Sequence, residues 1–137
     1  MGRASSPSRF AGRFAEVARH GARRYGHAVK LLQQAIRERA ANDECERTNV
    51  RALLRAALTE LLPVGSRVWI YGSLAKPGRF REWSDIDLAI EDEPRGVSIW
   101  LFMSLLAERT GRPVDVAVLS ETRLRETILR EGEAWTL

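Results

Sequence analysis

Two aspartates one residue apart stand inside an apolar run, where acidic residues are uncommon. Asp85 and Asp87 belong to SDIDLAI, a segment with the apolar character of a strand. Side chains two positions apart on a strand share a face, so the carboxylates are expected side by side, with Ile86 and Leu88 facing the core. Paired carboxylates repel unless a proton or cation neutralises them, and Mg²⁺ is the usual partner. The plain alternative is an exposed strand face with two solvated acids, and a bare Asp-x-Asp does not decide between them.

Three neighbouring features favour a site over a solvated face. Gly72 and Ser73 end the apolar run RVWIYG at a turn, where glycine lets the backbone approach a phosphate closely. The loop that follows carries Lys76 and two arginines, cations that suit a polyphosphate. Asp115 lies in VDVAVL, a third predicted strand, and reaches the same side as the first two acids if that strand is adjacent. Together these features favour a site for a metal ion and a polyphosphate.

This combination of motifs resembles the polymerase-β-like nucleotidyltransferase superfamily. YGS is followed after eleven residues by DIDLAI, and VDVAVL comes later. More narrowly, the chain resembles the minimal nucleotidyltransferase (MNT) branch, since the tail ILREGEAW is similar to that branch's C-terminal helix and short final strand. The resemblance covers about residues 50–137 and does not extend to residues 1–45.

The resemblance implies a set of catalytic and metal-binding residues. Asp85 and Asp87 would bind two Mg²⁺ ions, and Asp115 would complete the metal site nearer the attacking hydroxyl. Asp115 is also expected to accept the proton of that hydroxyl. The implied chemistry is nucleotidyl transfer with two metal ions.

The resemblance also implies the residues that bind the nucleoside triphosphate. Gly72 and Ser73 would hold its β- and γ-phosphates, and Lys76 matches a position that is often basic in the family. Ser84 is the fourth nucleotide-binding residue on this interpretation. Leu74 stands where many relatives place arginine, which is a departure from the family pattern.

The activity that the resemblance implies is transfer of AMP from ATP to a tyrosine of a partner protein. Stand-alone MNT proteins of this size resemble antitoxins whose partner is a helical HEPN ribonuclease toxin. A chain of 137 residues has no separate domain to bind a small-molecule acceptor, so another chain is expected to bring it. The alternative is a non-catalytic binding module that neutralises a partner protein by covering it.

The elements that must position these residues alternate along the chain. Helical periodicity from Phe10 to Ile36, with a break near Gly21 or Gly26, is followed by a polar stretch at residues 41–49 that reads as a loop. Thr48 or Asn49 would then cap a second helix. The order helix, helix, strand, strand, helix, strand, helix predicts an α/β (α+β) fold.

The predicted architecture is a small mixed sheet of three to four strands packed with helices, the polymerase-β-like nucleotidyltransferase fold. We expect a basic N-terminal helical extension over residues 1–45 and the MNT domain over residues 46–137. Trp69, Trp100 and Trp135 fall on apolar stripes and are expected in the core, and Trp83 is expected to pack under the loop before the acidic strand.

Composition and charge narrow the environment and the partners. Residues 1–40 hold nine Arg or Lys against two Glu, whereas the whole chain carries only +4. A basic segment on an acidic body is typical of a solvated helix, a docking or dimerisation element, or, with less support, a nucleic-acid contact.

The single Cys45 fits a reducing compartment, and no apolar run approaches the roughly 20 residues of a membrane span. We therefore expect a cytoplasmic protein.

Overall fold

The computed structural model describes the backbone of residues 9–137 and the side chains of residues 13–137. Residues 1–8, and the side chain of Phe10 at the start of the predicted stripe, lie outside the described residues. Within the described part the predicted α/β (α+β) class with a small mixed sheet is confirmed. The elements are α1 (Arg9–Leu61), β1 (Arg67–Tyr71), β2 (Ile86–Ile90), α2 (Ile99–Thr110), β3 (Val114–Val118), α3 (Arg125–Glu131) and β4 (Glu133–Thr136).

Helix α1 is continuous where the sequence predicts a break and a loop. Gly21 and Gly26 both lie inside it, so the predicted break is wrong; one glycine lowers helix stability by only about 1 kcal/mol. The predicted loop at residues 41–49 is also wrong, and Thr48 and Asn49 lie within the helix instead of capping a second one. The stretch is polar because several of its side chains bond to the loop after β1, as described below.

Contacts divide the chain into two units between Arg39 and Ala40. In the first unit every side chain described, from residue 13 to residue 39, is exposed. The predicted apolar stripe is therefore helical and open to solvent, with Phe14 and Tyr25 each 74% exposed. No helix among the described residues combines the length and apolar character needed to cross a membrane.

The sheet of the second unit has the strand order β3-β2-β1-β4. Strand β1 runs antiparallel to β2 and β4, whereas β2 and β3 are parallel and are joined by α2, the kind of crossover that parallel pairing requires. Ser98 begins α2, since its hydroxyl accepts a hydrogen bond from the Leu101 N–H at 3.1 Å. Because β1 is antiparallel to β2 and β2 is parallel to β3, both β2 and β3 start at the end of the sheet where β1 stops.

One face of the sheet, which we call the helix-packed face, carries the larger core. Ile70 of β1 and Leu88 of β2 pack there with Leu54 and Leu58 of α1 and Phe102 of α2. Each of these five side chains is at most 1% exposed. Burial of such a cluster supplies most of the drive to fold, at about 1.5–3 kcal/mol for each large apolar side chain.

The opposite face has a smaller apolar cluster. Trp69, Ala89, Leu119 and Ile128 form it, and Ile128 belongs to α3, which covers this part of the sheet. Strand alternation places Asp87 on the same face, because it lies two residues before Ala89 in β2. We call this the acid-bearing face.

The four tryptophans divide evenly between core and surface. Trp69 and Trp135 are each 5% exposed, as predicted. Trp100 and Trp83 are each 74% exposed, so both predictions of packing were wrong. Trp100 is exposed because α2 turns Phe102 and the residues one and two turns later toward the core, which leaves Trp100 on another side of the helix.

Candidate nucleotide and metal site

Three neighbouring strands place an aromatic hydroxyl and two carboxylates in one row. Tyr71 of β1 pairs in register with Asp87 of β2, and Asp87 pairs with Asp115 of β3. Adjacent strands lie about 4.8 Å apart, so the row spans roughly 10 Å. Asp85 stands just before β2 and two positions from Asp87. The predicted adjacency of the β2 and β3 acids is therefore present.

The row concentrates negative charge on a partly buried surface. Asp87 is half-buried, and burial, followed by the charges of Asp115 and Asp85, raises the pKa of its carboxyl. Burial, followed by the negative charges of Asp87 and Asp115, raises the pKa of Tyr71 to about 12. Among the described residues, no ion pair engages Asp85, Asp87 or Asp115. The carboxylates thus repel one another, and none of the described residues supplies a fixed cation that offsets the repulsion.

Asp87 and Asp115 lie side by side in register, but together with Asp85 they do not form a closed cage. No group of three His, Cys, Asp or Glu side chains in the described part of the chain is arranged to hold a metal ion. Asp85 and Asp115 are exposed, whereas Asp87 lies deeper. Three oxygen-donor side chains of this kind suit a hard divalent ion that keeps water or substrate oxygens as further ligands.

Gly72 joins the end of β1 to the start of this row. Its φ of +70° is in the left-handed region, where only glycine avoids strain. A Cβ atom at this position would overlap the Oδ2 atom of Asp87. Ser73 follows in a short 3₁₀ turn, Gly72–Ala75, and its carbonyl accepts a hydrogen bond from the Lys76 N–H at 3.3 Å. The turn therefore passes directly beside the Asp87 carboxylate.

Helix α1 holds this turn in place through two arginines. The Arg47 Nε donates to the Leu74 carbonyl at 2.8 Å, and the Arg51 Nη1 donates to the same carbonyl at 3.3 Å. Arg47 is only 8% exposed, and Glu44 binds its guanidinium at 2.7 Å. Glu44 also accepts a hydrogen bond from the Gly78 N–H at 3.3 Å. These bonds tie the first half of the loop, at Leu74 and Gly78, to one face of α1.

Leu74 points into the core instead of toward the acids. Its side chain is fully buried in the main apolar cluster. The position at which many MNT relatives place arginine therefore offers no cation to a triphosphate here. Lys76 is exposed and lies at the end of the same turn.

Ser84 has a structural role in the loop before β2. Its hydroxyl accepts a hydrogen bond from the Arg81 N–H at 2.7 Å, and its own N–H donates to the Arg81 carbonyl at 3.0 Å. Arg112 contacts the same loop, since its Nη1 donates to the Arg81, Glu82 and Ser84 carbonyls. These bonds set the direction in which Asp85 enters the site, while nucleotide binding by Ser84 stays a prediction.

Comparison with known proteins identifies the fold. No protein-family model and no curated protein matches the chain. Among solved structures, it is similar to one described as the crystal structure of a toxin-antitoxin with AMP-PNP, with a TM-score of 0.53 and 22% identity. The match covers 63% of this chain and 73% of that chain. The chain has an MNT-like fold.

A second solved structure belongs to the same class of complex. It is a rebuilt structure of a tri-AMPylated Shewanella oneidensis HEPN toxin in complex with MNT antitoxin, matched with a TM-score of 0.48 and 20% identity. The match covers 67% of this chain and 73% of that chain. The small nucleotidyltransferase-like fold that the motifs indicate is confirmed by the first of these two structures.

Two features of the site are absent from the sequence predictions. Tyr71 has no predicted role, because its place beside Asp87 depends on strand register, which the sequence does not display. Glu44 and Arg47 were missed because their stretch reads as a loop, and Arg51 was missed because the predicted second helix gave it no partner. Their spacing of three and four residues puts them on one helix face, and that spacing was the available signal.

Proposed function

We propose that the chain is an Mg²⁺-dependent nucleotidyltransferase that transfers AMP from ATP to a tyrosine hydroxyl of a partner HEPN ribonuclease toxin, and so acts as the antitoxin. The observation that carries the proposal is the row of Asp87 and Asp115 with Asp85 beside it, directly next to the Gly72 turn. The fold shared with a toxin-antitoxin structure that contains AMP-PNP supports a nucleotide substrate and a toxin partner.

The chemistry of the donor atoms suits magnesium, although the described side chains form no group of three arranged around one ion. Asp85, Asp87 and Asp115 supply only carboxylate oxygens, which Mg²⁺ prefers, and no cation of the described residues pairs with them. These three side chains would hold two ions. Bound there, Mg²⁺ would stabilise the charge on the phosphates and make the acceptor hydroxyl easier to ionise.

The chain's own residues then bind and orient the reactants. Gly72 and Ser73 present backbone to the β- and γ-phosphates, and Lys76 and Ser84 are the further candidates for nucleotide contacts. The acceptor oxygen forms a bond to the α-phosphorus while the bond to the β-phosphate oxygen breaks and pyrophosphate leaves. Asp115 is exposed on the edge strand β3, and we propose that it takes the hydroxyl proton.

The N-terminal extension is proposed as the docking element for the partner protein. Its apolar stripe is exposed along the described part of the first unit, and a helix with one apolar side is stable when that side is covered. The variant Tyr25→Asp, Leu32→Asp should weaken binding of the partner and leave ATP binding unchanged. Self-association through the same stripe predicts instead that the variant shifts the chain from dimer to monomer in sedimentation. If the variant binds the partner as the wild type does and sediments with the same mass, the stripe serves neither partner docking nor self-association.

Label transfer tests the enzymatic proposal directly. The purified chain, Mg²⁺ and ATP labelled on its α-phosphate should label the protein encoded beside it. The variant Asp85→Asn, Asp87→Asn should not, because it removes two of the three carboxylates. A matched control, Asp92→Asn, changes an exposed acid in the turn after β2, and we expect wild-type labelling. Equal labelling by the double variant contradicts the proposal.

A non-catalytic binding module is the second candidate, and the burial of Leu74 favours it. The turn lacks the arginine that many MNT relatives offer to the triphosphate. This candidate predicts that the partner's ribonuclease activity is blocked without ATP, and equally well by the Asp85→Asn, Asp87→Asn variant. Inhibition that requires both ATP and intact aspartates rejects it.

A further inference from the structure

The exposed apolar stripe of the first unit contains a regular heptad spacing. Its central line, which we call the seam, alternates steps of three and four residues: Ala15, Ala18, Ala22, Tyr25, Val29, Leu32 and Ile36. All seven side chains are exposed. Steps that average 3.5 residues form a line that a second helix can follow, because the side chains of that helix fit between those of the first. The spacing therefore suits a helical partner.

The two sides of the seam differ in size and charge. On one side Gly21, Ala28 and Ala35 repeat every seven residues, and small side chains let a second helix approach closely. The other side carries four cations, which we call the basic row: Arg19, Arg23, Lys30 and Arg37. At 3.6 residues per turn the row lies about 100–140° around the helix from Ile36, so it borders the seam. Among the described residues, no ion pair engages the basic row.

The charge of this segment indicates the chemistry of the partner. Residues 13–39 hold seven Arg or Lys against Glu16 and Glu38, a net charge of +5. We propose that the seam and the basic row bind an acidic amphipathic helix of the partner protein, one with apolar residues at heptad spacing and Asp or Glu along one edge. The inference rests on the docking role proposed above and names the chemistry of its occupant. Opposite charges along the edges of two helices set which helices pair.

A second copy of this chain is a competing occupant, and its charge disfavours it. The axes of two helices in contact are about 8–10 Å apart. The Debye length at physiological salt is about 8 Å, so salt only partly screens charges at that distance. Two copies would bring a net charge of +5 on each helix together, since Glu16 and Glu38 are too few to offset the cations. Copies of the segment therefore repel one another, whereas an acidic helix is attracted.

An anionic membrane surface is the other competing occupant. A basic helix lies on such a surface when bulky apolar side chains enter the lipid. Three of the seven seam residues are alanine, and the row beside them consists of glycine and alanine. Small side chains gain little free energy on leaving water, because that gain is proportional to the apolar area removed. They suit close contact between two helices better than insertion into lipid.

Two synthetic peptides test the inference with the full chain. Each peptide has three heptads with Leu at the two seam positions, and the flanking positions carry Glu in one peptide and Lys in the other. Like charges discourage each peptide from pairing with itself. Fluorescence anisotropy at low salt should show at least about tenfold tighter binding of the Glu peptide than of the Lys peptide. The difference should shrink as the salt concentration rises.

Removing charge from the basic row should reduce this preference below about threefold, because the row supplies the attraction for Glu. The variant is Arg23→Gln, Lys30→Gln, Arg37→Gln. The matched control removes three exposed charges from the second unit and should keep the preference: Arg95→Gln, Arg123→Gln, Arg125→Gln.

A second pair of variants tests the apolar contact. Leu32→Ser removes a seam side chain and should weaken binding of the Glu peptide at least about tenfold. Leu31→Ser changes the neighbouring leucine, which is 54% exposed and lies outside the seam, and should weaken it less than about twofold. Equal losses in the two variants contradict the seam.

The outcomes distinguish failure of this inference from failure of the proposed function. Equal affinity for the two peptides overturns the inference, as do a dimer in sedimentation that Leu32→Ser dissociates and tighter binding to phosphatidylserine vesicles than to the Glu peptide. If saturating Glu peptide leaves label transfer to the partner unchanged, the inference fails and the proposed function stands. If the chain binds the Glu peptide through the seam but labels no partner, only the proposed function fails.

Discussion

The two faces of the sheet use adjacent residues of one strand for opposite purposes. Leu88 of β2 is fully buried among helices on the helix-packed face, whereas Asp87, the preceding residue, lies half-buried on the acid-bearing face beside another carboxylate. The first face is built to lower the free energy of the fold. The second keeps like charges together on a partly buried surface, which is unfavourable until a cation binds. The main core and the candidate site are therefore separated by the alternation of side chains along one strand.

The acid-bearing face is also held in place from the other side of the sheet. Arg47 and Arg51 of α1 bind the carbonyl of Leu74, while the Leu74 side chain lies in the main core. The turn beside the acids is thus anchored to the helix-packed face. Substitutions on the two faces should therefore differ in their effects. Those on the helix-packed face should mainly change the free energy of unfolding, and those on the acid-bearing face should mainly change nucleotide binding.

The largest loss of stability is expected from a truncation on the helix-packed face. Leu88→Ala removes a fully buried side chain and should lower the free energy of unfolding by about 2–5 kcal/mol, measured by urea denaturation. Leu101→Ala, where the side chain is 52% exposed, should lose less than about 1 kcal/mol. Similar losses at the two positions would show that the face is not the main core.

Gly72→Ala should combine a smaller loss of stability with a loss of nucleotide binding. The positive φ alone costs about 1–2 kcal/mol for a residue with a Cβ atom, and the new methyl group also overlaps the Asp87 carboxylate. Gly96→Ala is the matched control, since Gly96 has a φ of +74° and no atom within 4 Å of an added Cβ. Denaturation and ATP titration should both separate the variants. If the two variants lose the same free energy of unfolding and bind ATP equally well, the overlap with Asp87 does not affect stability or binding.

Glu133→Gln tests an ion pair on the helix-packed side. Arg51 binds both carboxylate oxygens of Glu133 at 2.7 Å. Because both partners are partly exposed, the loss near neutral pH should be below about 1 kcal/mol. The hydrogen bond from Arg51 lowers the pKa of Glu133 below 4.5, so its contribution is present above that value and disappears as the pH falls through the lowered one. The difference between wild type and variant should shrink in acid; a constant difference would exclude the ion pair as its cause.

Of these variants, Asp87→Asn should change stability least, and it should raise the free energy of unfolding instead of lowering it. Removing the charge relieves repulsion from Asp115 and Asp85, which should raise the free energy of unfolding by a few tenths of a kcal/mol without Mg²⁺, since solvent screens a half-exposed group. The same variant should lose label transfer. A destabilisation as large as that of Leu88→Ala would show that Asp87 is a structural residue.

Much of the site was predictable because its residues are close in sequence. The Asp-x-Asp spacing predicts that Asp85 and Asp87 lie close together, and Asp85 stands just before β2. Gly72 marks the turn after β1. The role of Glu44 and Arg47 was not predictable in the same way, since a polar stretch indicates a loop unless the structure shows what its side chains bind. Trp100 was misplaced for a related reason: an apolar pattern identifies a helix more securely than it identifies which side faces the core.

By itself the sequence determined the strands, the turn at Gly72 and the pairing of two acids, because backbone geometry and side-chain alternation act over a few residues. Only the tertiary structure decided that Asp115 lies opposite Asp87, that Tyr71 completes the row and that α3 closes a cavity beside the turn. Those positions depend on strand order and register. Both are set by the packing of helices α1, α2 and α3 against the two faces of the sheet, and packing between distant segments leaves no local pattern in the chain.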